Sequence, residues 1–62
     1  MTQSAPLTVV IPAFNAEPHL GVTLDAIQSQ TSPPERILVV DDGSEDSTVE
    51  VARAHGVEVV RQ

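Results

Sequence analysis

Two short stretches of this chain carry residue types suited to holding a flat, polar ligand. The first, Pro12-Ala13-Phe14-Asn15-Ala16-Glu17, contains the sequence's only aromatic residue; the second, Asp41-Asp42-Gly43-Ser44-Glu45-Asp46, opens with adjacent carboxylates and continues in turn formers. A Phe14 ring presented from a loop has two uses. It stacks on a nucleobase, worth ~1 to 3 kcal/mol in nucleic-acid complexes, or it plugs a small core. The carboxylates are equally two-sided. A carboxylate accepts a charge-assisted hydrogen bond from a pyrimidine N–H or a ribose hydroxyl, yet Asp-Asp-Gly-Ser is also an ordinary turn followed by a helix cap. At a strand tip successive side chains point to opposite sides, so one of Asp41 and Asp42 faces a ligand while the other bonds N–H groups of the turn. Five of the nine acids fall within residues 41–50, a clustering that the dipole of a following helix favours on structural grounds too.

Other chemistries find little support. No Gly-x-Gly-x-x-Gly and no Gly-Lys-Ser/Thr loop occurs, which argues against a dinucleotide Rossmann site and a P-loop. Ser44, Ser47 and Thr48 read as turn and capping residues, with no histidine placed to activate a nucleophile. His19 and His55 are lone residues on or near helix surfaces, expected to be solvated. With no cysteine, neither a disulfide nor a zinc ligand set is available.

The elements that position the two stretches follow from apolar patterning. Residues 1–6 read as a loose, disordered lead. Leu7, Thr8, Val9, Val10 and Ile11 form a β-branched run stopped by Pro12, suited to a strand buried on both faces. Leu20, Leu24 and Ile27 fall at i, i+4 and i+7, a helical stripe over residues 18–30 with Pro18 in the first turn. Gly21 lies inside that stripe and marks close packing. Residues 31–34 form a stiff turn around Pro33 and Pro34. Ile37, Leu38, Val39 and Val40 make a second strand ending at Asp41. Ser44 or Asp46 caps a second helix over residues 47–55, with Val49, Ala52 and Val51 as its inward candidates, and Gly56 closes it. Val57, Val59 and Val60 give a third strand.

The order strand, helix, strand, helix, strand predicts an α/β, Rossmann-like three-stranded parallel sheet. Right-handed crossovers marching one way place both helices on one face. The other face, with Val10 and one of each adjacent pair in residues 37–40, is left bare, whereas parallel sheets are normally covered on both sides. Its cover is expected from a missing C-terminal half or from self-association.

Length and charge narrow the field further. Sixty-two residues fall short of the roughly 100 to 200 of a typical domain, and a chain this small has a marginal core. Three arginines and no lysine against nine acids give a net charge of -6, which argues against nucleic acid and anionic membranes as partners. No signal peptide and no run of about 20 apolar residues is present, so a cytoplasmic location is expected, with membrane association left to any further sequence.

Three motifs in order then carry a family resemblance. Residues 8–17 (TVVIPAFNAE) resemble the first strand and loop of family 2 glycosyltransferases, residues 24–31 (LDAIQSQT) their first helix, and residues 39–48 (VVDDGSEDST) their second strand and following loop. The resemblance spans residue 7 to the end. It implies the N-terminal part of a GT-A fold that binds a nucleotide-sugar donor, usually a UDP-sugar, with help from divalent manganese or magnesium, and transfers the sugar with inversion. Carried over, it sets Pro12, Ala13 and Phe14 against the base, with Phe14 stacking on uracil. It places Glu17 near the nucleotide and Asp42 on the uracil N–H, with Asp41 beside it. The family's metal-binding Asp-x-Asp element and its catalytic base fall beyond Gln62, so the expectation for residues 1–62 is a partial domain that recognises donor without turnover. The competing expectation is a stand-alone βαβαβ module that binds nucleotide or protein without catalysis.

Overall fold

The structure, a computed structural model, describes residues 5–62, with side chains from Leu7 onward. Its elements alternate as β1 (Ala5–Ala13), α1 (Glu17–Gln28), β2 (Pro34–Asp41), α2 (Thr48–Ala54) and β3 (Glu58–Arg61). The strands form one parallel sheet in the order β1-β2-β3, the α/β arrangement expected from the sequence. The loose lead expected at residues 1–6 lies outside the described residues up to residue 4. Its last two residues, Ala5 and Pro6, instead begin β1, where Ala5 lies opposite Pro34.

Prolines bound the strands less sharply than their reputation suggests. Pro12 does not stop β1; it lies opposite Val40, and the strand continues to Ala13. β1 is an edge strand, paired only with β2, and an edge tolerates a residue that cannot donate to the ladder. β2 likewise starts three residues before its apolar run, at Pro34, the first strand position being another site where proline is accepted.

Side-chain alternation along the strands decides which residues meet the helices. Ala13, Ile37 and Val39 from the sheet join Leu20 and Leu24 of α1 and Ala52 of α2 in one buried cluster, with Ile11, Ile27, Val51, Val57 and Val59 packed around it. The helical stripe of α1 therefore faces the sheet as its spacing predicts, and Leu24 is fully buried. On the other face Val10 pairs in register with Leu38, and Val40 with Val60. Val10 and Val60 remain 57% and 45% exposed. Among the described residues nothing covers this face.

The two helices meet at Gly21, His55 and Val51. A Cβ on Gly21 would lie 3.6 Å from His55 Cε1 and 3.7 Å from Val51 Cγ1, ordinary contact distances, so the approach is close without demanding glycine. His55 departs from the solvated position expected of it: its side chain is only 21% exposed. Nδ1 lies 2.9 Å from the Val51 carbonyl oxygen and Nε2 3.0 Å from Asp25 Oδ1, while Gln28 Nε2 donates to the His55 carbonyl at 3.0 Å. Two acceptors face two ring nitrogens, and only the imidazolium donates to both. The Val51 carbonyl, chiefly, and the Asp25 carboxylate raise the His55 pKa above its ordinary 6.5 against the opposing effect of desolvation.

Because the folded pKa is raised, this contribution is complete below pH 6.5 and is lost as pH rises through the folded value. Chemical denaturation at a series of pH values is expected to show the chain losing stability as pH rises above 6.5 through the raised folded pKa. Asp25→Asn flattens that dependence. An NMR titration placing the His55 pKa at or below 6.5 would rule the clasp out.

Candidate functional site

The carboxyl ends of β1 and β2 lie side by side, Ala13 opposite Asp41 in register, and the loops that leave them are joined by hydrogen bonds. The Asp42 N–H continues the sheet by donating to the Ala13 carbonyl at 2.9 Å. Asn15 then works in both directions, its N–H donating to Ser44 Oγ at 2.9 Å and its Oδ1 accepting from the Glu45 N–H at 2.8 Å. It does so at a positive φ of 49°, a left-handed conformation that asparagine tolerates better than other non-glycine residues.

The helix starts repeat this exchange. α1 begins after Ala16, which has no capping side chain, and α2 after Ser47, whose side chain makes no cap bond. The first N–H groups of a helix lack intrahelical partners. Here the Ala16 N–H donates to Thr48 Oγ1 at 2.8 Å and the Glu17 N–H to Asp46 Oδ2 at 3.2 Å. In return the Ser47 N–H donates to Glu17 Oε1 at 3.0 Å, and Asp46 Oδ1 accepts from both the N–H of Thr48, at 3.0 Å, and its hydroxyl. Of the two capping residues proposed from sequence, Asp46 lies one residue before the Ser47 cap position and accepts the Thr48 N–H, whereas Ser44 serves Asn15. Sequence reasoning missed the bridging role of Asn15, and it read Thr48 as a turn and capping residue without its partner on the other helix. Their signal was present in the Ser44, Asp46, Thr48 spacing and in an asparagine between a strand and a helix, but the partners lie 29 to 32 positions away.

The six residues named as ligand contacts are brought to this end of the sheet, in different states. Phe14 is 60% exposed, so it does not plug the core. Asp42 is exposed as well, and among the described residues its carboxylate makes no hydrogen bond. Pro12 is exposed at the strand edge, while Ala13 is buried. Glu17 is exposed and uses one carboxylate oxygen on Ser47. Asp41 is fully buried, its Oδ2 accepting from the Ser44 N–H at 3.2 Å and lying 3.7 Å from Arg61 Nε, with Oδ1 unpartnered. The two aspartates thus divide as strand alternation requires. Hydrogen bonding from the Ser44 side chain, foremost, together with its backbone N–H and the Arg61 charge, lowers the Asp41 pKa against desolvation. The Thr48 hydroxyl, followed by the Thr48 and Glu17 N–H groups, lowers that of Asp46, again against desolvation.

A cleft of about 310 Å³ lies at the opposite end, among Pro33, Arg36, Val57 and Glu58. Its main charged groups, Arg36 and Glu58, are paired at 2.8 and 2.9 Å. Open α/β sheets bind ligands at the carboxyl ends of their strands, where Phe14 is exposed and the Asp42 carboxylate has no hydrogen-bond partner among the described residues. Among the described residues no group of three or more His, Asp or Glu side chains converges as metal ligands would, and no helix is long and apolar enough to cross a membrane.

Comparison with known proteins agrees with the geometry. The family model described as glycosyl transferase family 2 matches residues 8–62. The chain is 44% identical over 54 residues to 4,4'-diaponeurosporenoate glycosyltransferase of Staphylococcus aureus, covering 87% of this chain and 14% of that protein. It superposes with a TM-score of 0.77 and 33% identity on glucosyl-3-phosphoglycerate synthase of Mycobacterium tuberculosis, covering 97% of this chain and 20% of that one. That synthase was crystallised with Mn2+, uridine diphosphate and glucosyl-3-phosphoglycerate, and also with uridine diphosphate alone. The chain thus spans a small part of the relatives it matches.

The loop junction generates a graded prediction at Asn15. Asn15→Ala places an ordinary side chain at positive φ and loses the Glu45 bond, and is expected to cost about 1 to 2 kcal/mol in urea denaturation. Asn15→Gly relieves the backbone and loses only the bond, at about 0.5 to 1 kcal/mol. Equal costs for the two would show that φ at this position is not constraining. Since the Asp46 pKa is lowered from 3.8, the contribution of its bonds is present above pH 3.8 and lost as pH falls through the folded value.

Proposed function

We propose, from the premise that this chain belongs to glycosyl transferase family 2, that it forms the nucleoside-binding part of a donor site for a UDP-sugar. In the whole protein the donor's sugar passes to an acceptor with inversion. The observation that carries the reading is the pairing of an exposed ring, Phe14, with an exposed carboxylate, Asp42, unpartnered among the described residues, on adjacent strand ends locked together by their loops. Phe14 stacks on the uracil, and Asp42 accepts the uracil N–H. Pro12 and Ala13 bring the backbone to the base edge, and Glu17 keeps one carboxylate oxygen available toward the nucleotide. Asp41 backs the site from beneath, holding the Ser44 turn that follows Asp42.

A divalent ion, when bound, would stabilise a leaving diphosphate, but the residues described here do not assemble a donor set for it. What these residues do is bind and orient the base and ribose. Residues 7–62 act as one part of a larger catalytic domain, and the bare sheet face carrying Val10, Leu38, Val40 and Val60 is where the remainder of that domain or a second copy packs.

Titration of the chain with UDP, followed by NMR, is expected to shift Phe14, Glu17, Asp41 and Asp42 selectively, with little change on adding manganese. Phe14→Ala removes stacking worth ~1 to 3 kcal/mol, weakening binding by about fivefold to 150-fold. Asp42→Asn keeps an acceptor oxygen but removes its charge, so binding weakens by a smaller factor, about fivefold. Shifts mapping to the cleft at the other end of the sheet would refute the assignment.

A further inference from the structure

We propose that Asp46 and Thr48 are positioning residues that fix Phe14 relative to Asp42, and so govern nucleotide affinity without touching the nucleotide. For its ligand the proposal rests on the function given above. For its geometry it does not.

Phe14 and Asp42 belong to different loops, and three sets of bonds determine how they stand to each other. The Asp42 N–H to Ala13 carbonyl bond holds the strand ends at 2.9 Å. Asn15 ties the loops through Ser44 and Glu45, both bonds in exposed positions. The third set lies deeper, where the helices start. Ala16, two residues beyond Phe14, donates its N–H to Thr48 Oγ1, and Glu17 donates to Asp46 Oδ2. Thr48 is fully buried, and its hydroxyl is used twice, accepting from Ala16 and donating to Asp46 Oδ1. Both residues are already used by the protein: each Asp46 oxygen accepts from a helix start, and no surface of Thr48 reaches solvent.

This arrangement is sensitive to the hydroxyl rather than to the shape of the side chain. Thr48→Val preserves volume and β-branching but leaves the Ala16 N–H without its acceptor and takes one donor from Asp46, an asymmetric loss of the kind that costs most in a part-buried setting. Thr48→Ser keeps the relay. If the pair serves to position Phe14, the effect of Val must be felt at Phe14 and Asp42, and Ser must rescue it.

The test compares the wild-type chain, Thr48→Ser and Thr48→Val by two readouts. In the ligand-free chain, Thr48→Val is expected to speed amide exchange at Ala16 about tenfold and to displace the Phe14 and Asp42 signals, while Thr48→Ser leaves all three close to wild type. In a UDP titration, Thr48→Val is expected to raise the dissociation constant about tenfold with Thr48→Ser within about twofold. Unchanged Ala16 exchange and unmoved Phe14 and Asp42 signals in folded Thr48→Val overturn the proposal whether or not UDP binds. Absence of UDP binding to the folded wild type overturns the functional reading instead, and the ligand-free readout still decides this one. Should Thr48→Val not fold, Asp46→Asn, read at the Glu17 amide, applies the same criterion.

Discussion

Two helices that start without adequate caps of their own, and cap each other, are the constraint on which this structure turns. A helix must find partners for its first N–H groups, and here α1 opens on alanine and α2 on a serine whose side chain makes no cap bond. Each draws partners from the loop of the other: Thr48 and Asp46 serve Ala16 and Glu17, and Glu17 serves Ser47, while Asp46 also takes the Thr48 N–H of its own helix. Pro18, in the first turn of α1, has no N–H to satisfy and so reduces the demand. Neither helix start can be detached without stranding donors of the other, which ties the two βα units into a single body at the end where the strands deliver their loops.

That tie also sorts the carboxylates. Alternation along β2 sends Asp41 to the helix-covered side, where it holds the Ser44 turn, and leaves Asp42 on the solvent side. Asp46 is committed to the helix starts through both oxygens, and Glu17 through one. An acidic cluster that looks uniform as sequence is thus divided: Asp41 and Asp46 are held by the fold, whereas Asp42, Glu45 and Glu50 are exposed. Asn15, turning at positive φ, redirects the chain immediately after Phe14.

The sheet and both helices were legible because each is written in local periodicity: continuous β-branched runs for the strands, the Leu20, Leu24, Ile27 stripe for α1, and Gly56 at positive φ closing α2. Family 2 membership was legible from three motifs for a related reason, since they cover the same elements and loops. What could not be read depends on partners distant in sequence. Pro12 is tolerated because β1 lies at an edge, a property of the assembled sheet. His55 is held by Asp25, 30 positions earlier. The choice between a core and a surface role for Phe14 required knowing that Leu20, Leu24 and Val39 already fill the interior.

The charge of the site bears on how a nucleotide would lie in it. A nucleoside diphosphate is anionic, yet Asp41, Asp42, Glu45 and Asp46 all lie in the loop that would receive it, and of the chain's three arginines only Arg61 stands at the carboxyl ends of the strands, paired in register with Asp41. Arg36 is bound to Glu58 at the other end, and Arg53 lies in the last turn of α2. Coulomb repulsion between phosphates and unpaired carboxylates at contact distance is substantial even in partly screened surroundings. A nucleotide in the proposed site would therefore present its uncharged base to Phe14 and Asp42, with its phosphates directed away from residues 41–46 toward positive charge supplied from outside this loop. An acidic cluster beside an aromatic ring thus favours the base end of the ligand, because it penalises every orientation that brings the phosphates in first.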